Sequence, residues 1–213
     1  VTAFWILVWI LLSAIILGAN VWSWIILFKQ KQAWESFSKK YKMTFRKGKL
    51  LAPAEVEGFI EDYKVNLFTA ERRGADVRSR RYMTVLEIVI PGGLVNGGTI
   101  GGAEMLPFME SLDTLTRLTP ANGKLKDGVH LYARDNDDVK NYLTAERIDH
   151  LNQIFSTRNV DILFVFTDTS GVLRLETSDP MADAVKMDKA IQRLIAHLKP
   201  LALKPAPAPK TEE

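Results

Sequence analysis

Residues 1–28, VTAFWILVWILLSAIILGANVWSWIILF, contain no ionisable side chain, and only Thr2, Ser13, Asn20 and Ser23 break their apolar character. That run constrains the chain more than any other stretch. About 20 apolar residues reach across the hydrocarbon of a bilayer, whereas a buried core helix is shorter and keeps a polar stripe. The run therefore predicts a transmembrane helix. Trp5 and Trp9 lie near one end, Trp22 and Trp24 near the other. At a rise of ~1.5 Å per residue, Trp5 and Trp24 are roughly 28 Å apart, which predicts aromatic belts at the two interfaces. A cleaved signal peptide is the competing reading. It calls for a basic leading region and a shorter apolar core, and the first basic residue here is Lys29. Ala14 and Gly18 make a small-xxx-small pair, as do Ala19 and Ser23, and such pairs let helices approach closely in lipid. With no ionisable residue the span lacks the groups of a proton path. With no His it lacks the usual axial ligand of a haem or chlorophyll-type pigment.

Basic charge follows the run directly. Residues 29–49 hold Lys29, Lys31, Lys39, Lys40, Lys42, Arg46, Lys47 and Lys49 against Glu35 alone. Eight against one is a net +7, and the whole chain is +3, so residues 50–213 carry −4. This concentration suits anionic headgroups. It does not suit nucleic acid, for which basic residues spread over the folded domain, and no nucleic-acid partner is expected. The positive-inside rule puts the basic end in the cytoplasm. With only a residue or two ahead of the run, the expected arrangement is a bacterial inner-membrane protein, N-terminus outside and domain cytoplasmic. Trp34, Phe37 and Tyr41, at i, i+3 and i+7, share one helix face. That face either lies on anionic lipid or packs a linker helix onto the domain. The membrane-interface candidates are thus Trp5, Trp9, Trp22, Trp24, Lys29, Lys31, Trp34, Phe37, Lys39, Lys40, Tyr41 and Lys42.

The chain divides into a transmembrane helix (1–28), a basic amphipathic juxtamembrane segment (29–49), a soluble α+β domain (50–203) and a Pro/Ala-rich flexible tail (204–213). In the domain, Glu55–Ile60, Lys64–Ala70 and Tyr82–Ile90 read as a three-stranded meander. The middle hairpin carries Arg72, Arg73, Arg78, Arg80 and Arg81, which can grip phosphate, headgroups or an acidic partner, although charged hairpin tips are ordinarily solvated loops. The segment PGGLVNGGTIGGA, 91–103, reads as a flexible surface loop. Its glycines fit neither GxxxxGK[ST] nor GxGxxG. Leu112, Leu115 and Leu118, between Pro107 and Pro120, suggest a short helix. Val129–Ala133 reads as a strand and Asp135–Asp138 as a turn. Thr144 is the expected cap of a helix running to Phe155. Asp161–Thr167 and Val172–Thr177 read as strands joined by a DTSG turn. Asp179 with Pro180 is the expected start of the last helix, which buries Ala184, Met187, Ile191, Leu194, Ile195 and Leu198. The expected fold is α+β, an antiparallel sheet with one or two packed helices. In its element order, a sheet closed by a C-terminal helix, it resembles the pleckstrin-homology type of fold.

No residue pattern points to chemistry. The chain has no cysteine, which excludes disulfides, thiolate metal sites and a cysteine nucleophile. His130, His150 and His197 fall in no metal spacing. Asp135–Asp138 with Glu146 fails as a calcium loop, because Val139 and Lys140 stand where an oxygen ligand and Gly are needed. No GxSxG elbow exists. No cofactor, metal or catalytic residue is therefore expected, and the chain reads as a non-enzyme. The expectation is a single-pass accessory or scaffold subunit of a larger membrane complex, of the energy-transducing kind (respiratory or photosynthetic). Its partners would be membrane lipid and other transmembrane subunits. A membrane-tethered lipid- or ligand-binding sensor is the alternative, and an enzyme with an unrecognised site ranks third.

Overall fold

The computed structural model describes residues 2–49, 52–73, 80–94, 97–134 and 137–202. The first element, α1 (Thr2–Lys40), is one uninterrupted helix of 39 residues. It runs straight through the boundary expected at residue 28, because residues 19–47 contain neither Gly nor Pro and nothing local stops it. The stop comes at Lys42, which adopts a left-handed conformation with φ 55°. The Lys42 N–H bonds the Lys39 carbonyl and the Met43 N–H bonds the Ser38 carbonyl. This is the paired closure of a Schellman cap, with buried Met43 as its apolar contact.

Among the described residues nine strands follow: β1 (Thr44–Arg46), β2 (Glu55–Ile60), β3 (Tyr63–Arg73), β4 (Arg80–Pro91), β5 (Gly98–Gly102), β6 (Thr116–Leu118), β7 (Val129–Ala133), β8 (Asp161–Phe166) and β9 (Ser170–Thr177). Four further helices are α2 (Leu106–Glu110), α3 (Asp137–Tyr142), α4 (Ala145–Ile154) and α5 (Ala184–Leu198). All nine strands form one sheet in the order β1-β2-β3-β4-β9-β8-β5-β7-β6, every pair antiparallel. The fold is thus α+β.

Strand alternation decides which side is core. Val56, Leu67, Leu86, Leu175 and Ile162 are cross-strand neighbours in one row over five strands. They belong to a single core with Trp34 and Phe37 of α1, Ile148 and Leu151 of α4, and Met187, Ile191 and Leu198 of α5. The residues between them face the other way. At the β5–β7–β8 end of that second face, Met105 and Met109 cover Tyr132 and Leu163 in a smaller apolar cluster.

Three expectations are corrected. The glycine-rich segment is not wholly a surface loop: Gly98–Gly102 is an inner strand, paired with β8 on one side and β7 on the other. Glycine is needed there for space. A Cβ on Gly98 would lie 2.5 Å from the Phe166 ring and 2.9 Å from Ala133 Cβ. Just before the strand the chain crosses the β8–β9 turn so closely that a Cβ on Gly93 would sit 1.8 Å from the Asp168 carbonyl oxygen. Val95 and Asn96 lie outside the described residues. Second, the last helix starts four residues later than Asp179–Pro180 implies. Asp183 is its cap and accepts from the Val185 and Lys186 N–H groups. Asp179 instead accepts from the Met181 N–H in a local turn. Third, the segment 104–123 gives the five-residue α2 and the short strand β6 in place of a helix carrying Leu112, Leu115 and Leu118. Thr144 caps α4 as expected. Asp135, Asn136 and the tail lie outside the described residues, and α3 begins directly at Asp137.

Candidate membrane-surface site

The apolar part of α1 is exposed over nearly all of its length. It is long and apolar enough to cross a membrane, and none of its most hydrophobic stretch is buried in the protein. Trp5, Trp9, Trp22 and Trp24 are each 56–65 % exposed. Ala14 and Gly18 are exposed as well, and a Cβ on Gly18 would touch nothing. The Asn20 and Ser23 side chains return hydrogen bonds to the Ile16 and Ala19 carbonyls four residues back. The helix thus satisfies these two side chains internally, as hydrocarbon would require.

The character changes abruptly after Lys29. Gln30, Lys31, Ala33, Trp34, Phe37 and Ser38 are buried. Trp34 is 0 % exposed and Phe37 2 %. Of the two readings of this aromatic face, packing onto the domain describes Trp34 and Phe37. The third aromatic, Tyr41, turns to α5. Its hydroxyl donates to Asp188 and accepts from Gln192 Nε2 at 2.9 Å. Lys40 Nζ meets the same carboxylate at 2.6 Å. Burial pushes the Asp188 carboxyl up, but the hydrogen bonds from Lys40 and Tyr41 outweigh it and hold the group below its usual range. The bond to Asp188 raises the Lys40 ammonium in turn. The base of α1 is thus clasped to α5, with the exposed Lys40 engaged by Asp188 at the surface.

The remaining lysines separate by height. Lys39 pairs with Glu35 one turn back at 2.7 Å, and Lys42 occupies the cap. Along the axis, Lys39 to Lys42 lie roughly 16–21 Å beyond Phe28, further than charges act through physiological salt. Lys29 adjoins Phe28. Lys31 donates to the Lys49 carbonyl at 2.8 Å, which draws the turn carrying Lys47 and Lys49 down beside the apolar part of the helix. Lys47 and Lys49 share one hollow with Val21 and Trp24. These two turn lysines are the residues sequence reasoning missed. The visible signal was a Lys-Gly-Lys turn, but only the folded chain brings it back to the helix.

Arg72 does not project from its hairpin. It pairs with Asp161 and lies 3.8 Å from Glu176. Glu176 also binds Arg174 at 2.8 Å, and Arg174 binds Glu87 at 2.7 Å. This network lies on the sheet face turned away from α1 and α5. Arg73 and Arg80 stand opposite each other in the strand register, as do Arg72 and Arg81, while Arg78 lies outside the described residues.

A second feature adjoins the helix base. A cleft of about 1190 Å³ opens between the segment 178–183, α5 and the end of β9. Leu86, Leu175, Met187 and Ile191 give it an apolar floor, and its rim is of mixed charge, with Lys29, Arg158 and Lys186 beside Asp179 and Asp183, the last 3.8 Å from Lys186. Further along α5, His150 and His197 face each other with 3.3 Å between their Nδ1 atoms. Burial first, then the nearby His150 and Arg193, lower the His197 imidazole below its ordinary value. Among the described residues, no group of three His, Cys, Asp or Glu side chains is placed to hold a metal ion.

No family model matches the chain, no curated protein matches its sequence, and no solved structure matches it.

Proposed function

We propose that this chain is a single-pass membrane protein acting as an accessory or scaffold subunit of a larger membrane assembly, with its domain on the cytoplasmic face of a bacterial inner membrane. One observation carries the reading. The helix that is bare and apolar over residues 4–28 is the same rigid helix whose Trp34 and Phe37 sit in the domain core. A tethered sensor or enzyme needs only a flexible leash. Here no leash exists, so the domain keeps a fixed height and rotation relative to the span. That geometry serves a subunit that must present one surface to fixed neighbours. The bare helix, with Ala14 and Gly18 on it, supplies a face for other transmembrane helices. An energy-transducing complex, respiratory or photosynthetic, is the expected kind of assembly. The test is purification of the full chain from native membranes in mild detergent. Co-purification with the same membrane partners at fixed stoichiometry supports the reading, and a chain that always purifies alone as a monomer overturns it.

The cleft beside Lys29 favours a second reading, a membrane-tethered module that binds an amphiphilic ligand. Its apolar floor with a few charged groups of both signs at the rim is the make-up of small-molecule sites. Mass spectrometry of small molecules released from the purified protein discriminates the two.

A further inference from the structure

Val21, Trp24, Ile25 and Phe28 recur at helical spacing and form one stripe of α1. In the structure this stripe lines a hollow of about 750 Å³. The hollow is closed on its polar side by Lys29, Lys31, Lys47 and Lys49. The turn that brings the last two is a specific construction. Gly48 has φ +65°, and a Cβ there would lie 2.3 Å from the Pro53 carbonyl oxygen. The Ala52 N–H and Lys31 Nζ both bond the Lys49 carbonyl, at 3.1 and 2.8 Å. Lys47 and Lys49 are thus held beside the last apolar turns of the helix, with their side chains exposed.

We propose that this groove binds one anionic phospholipid, its headgroup phosphate between the exposed Lys29, Lys47 and Lys49 and an acyl chain along the Val21–Phe28 stripe, while Lys31 holds the turn in place. This rests on the reading of α1 as a transmembrane helix. Charge complementarity selects the occupant. Three exposed cations, Lys29, Lys47 and Lys49, meet where an apolar wall ends. Among the described residues no carboxylate lines the hollow, and Glu35, on which Lys47 also acts, lies outside it. Each lysine near an anionic surface is worth about 1 kcal/mol, about fivefold in affinity. A soluble anion would leave the apolar wall unused. A neutral lipid would leave the cations unused.

The test uses the full chain in nanodiscs of phosphatidylcholine with and without phosphatidylglycerol, with native mass spectrometry of the lipid retained on release. The wild type should retain phosphatidylglycerol roughly tenfold or more over the Lys47→Glu/Lys49→Glu variant. A Lys39→Glu/Lys42→Glu variant, altered at the far level, should match the wild type. The milder Lys47→Gln/Lys49→Gln variant, with an unchanged circular dichroism melt, guards against misfolding and should lose part of the preference. Equal retention by wild type and both Lys47/Lys49 variants overturns the site while leaving the membrane reading intact. A chain extracted from membranes by alkaline carbonate overturns both. Loss of the lipid to inorganic phosphate, but not to chloride of equal ionic strength, makes the site a free-phosphate pocket and overturns the lipid.

Discussion

At the scale of single residues, the structure depends on side chains in unusual places. Lys42 holds a left-handed conformation in which its Cβ is crowded, at a cap position that glycine normally fills. Lys42→Gly should therefore stabilise the protein by about 0.5–1 kcal/mol, read as a higher urea midpoint with unchanged slope. Gly98 is the opposite case. Gly98→Ala places a methyl against Phe166 and Ala133 and should cost about 1–3 kcal/mol in the same measurement. The facing imidazoles make stability depend on pH. His197 has its folded value lowered below the ordinary His value of 6.5, so the unfolded chain takes up this proton first. Stability is fully present above the ordinary His value and falls as pH drops through it toward the folded value. Thermal melts between neutral and mildly acid pH should show this loss. The loss should shrink in His150→Gln, which removes a charge that opposes protonation of His197.

At the scale of elements, α1 belongs to two environments. Removing residues 1–28 takes away only bare apolar helix and should leave a domain that melts cooperatively. Removing residues 1–40 also extracts Trp34 and Phe37 from the core and should abolish that transition by circular dichroism. Trp34→Ala in the full chain should cost about 3–5 kcal/mol, as large buried side chains do. Its Nε1 is buried without a hydrogen-bond partner, so Trp34→Phe should cost much less. A denaturation series in which the two substitutions cost the same would show that the indole is not packed as described. At the other end of the domain, α5 is secured by different means. Tyr142 donates to the Leu201 carbonyl at 2.7 Å, and Arg147 lies 4.4 Å over the Tyr142 ring while bonding the Pro200 carbonyl. Burial raises the Tyr142 hydroxyl well above its ordinary value, so this tie persists through mildly alkaline pH.

At the scale of the whole molecule, the proposed single-pass arrangement makes a topological prediction. The chain has no cysteine, so one introduced thiol can be labelled without background. Lys124→Cys replaces a side chain that is 85 % exposed. With a cytoplasmic domain, a membrane-impermeant maleimide should label it in inverted vesicles and not in intact spheroplasts, and the reverse pattern would place the domain outside. The sheet offers two unlike surfaces to neighbours. One lies under α1, α4 and α5. The other carries Glu87, Arg174, Glu176, Arg72 and Asp161 in ion pairs that satisfy one another, and Arg72→Ala should therefore perturb the sheet before it perturbs any partner.

The sequence by itself determined what local periodicity and composition can carry: the 28-residue apolar run, the α+β class, the strands β2, β7, β8 and β9, the Thr144 cap and the buried stripe of α5. Each is a repeat of two or 3.6 residues, or a cap read within four residues, and each survives whatever packs against it. Only the tertiary structure decided the rest. It turned the glycines of β5 into an inner strand, because Phe166, Met109 and Leu163 fill the volume their missing side chains leave. It moved the start of α5 from Asp179 to Asp183, because both aspartates make cap-type bonds and only packing chooses between them. It also divided the lysines of residues 29–49, indistinguishable as charge, into Lys40 clasped to α5 and Lys29, Lys31, Lys47 and Lys49 gathered at the base of the apolar helix. Composition counts charge along the chain, and a membrane or a partner meets it in space.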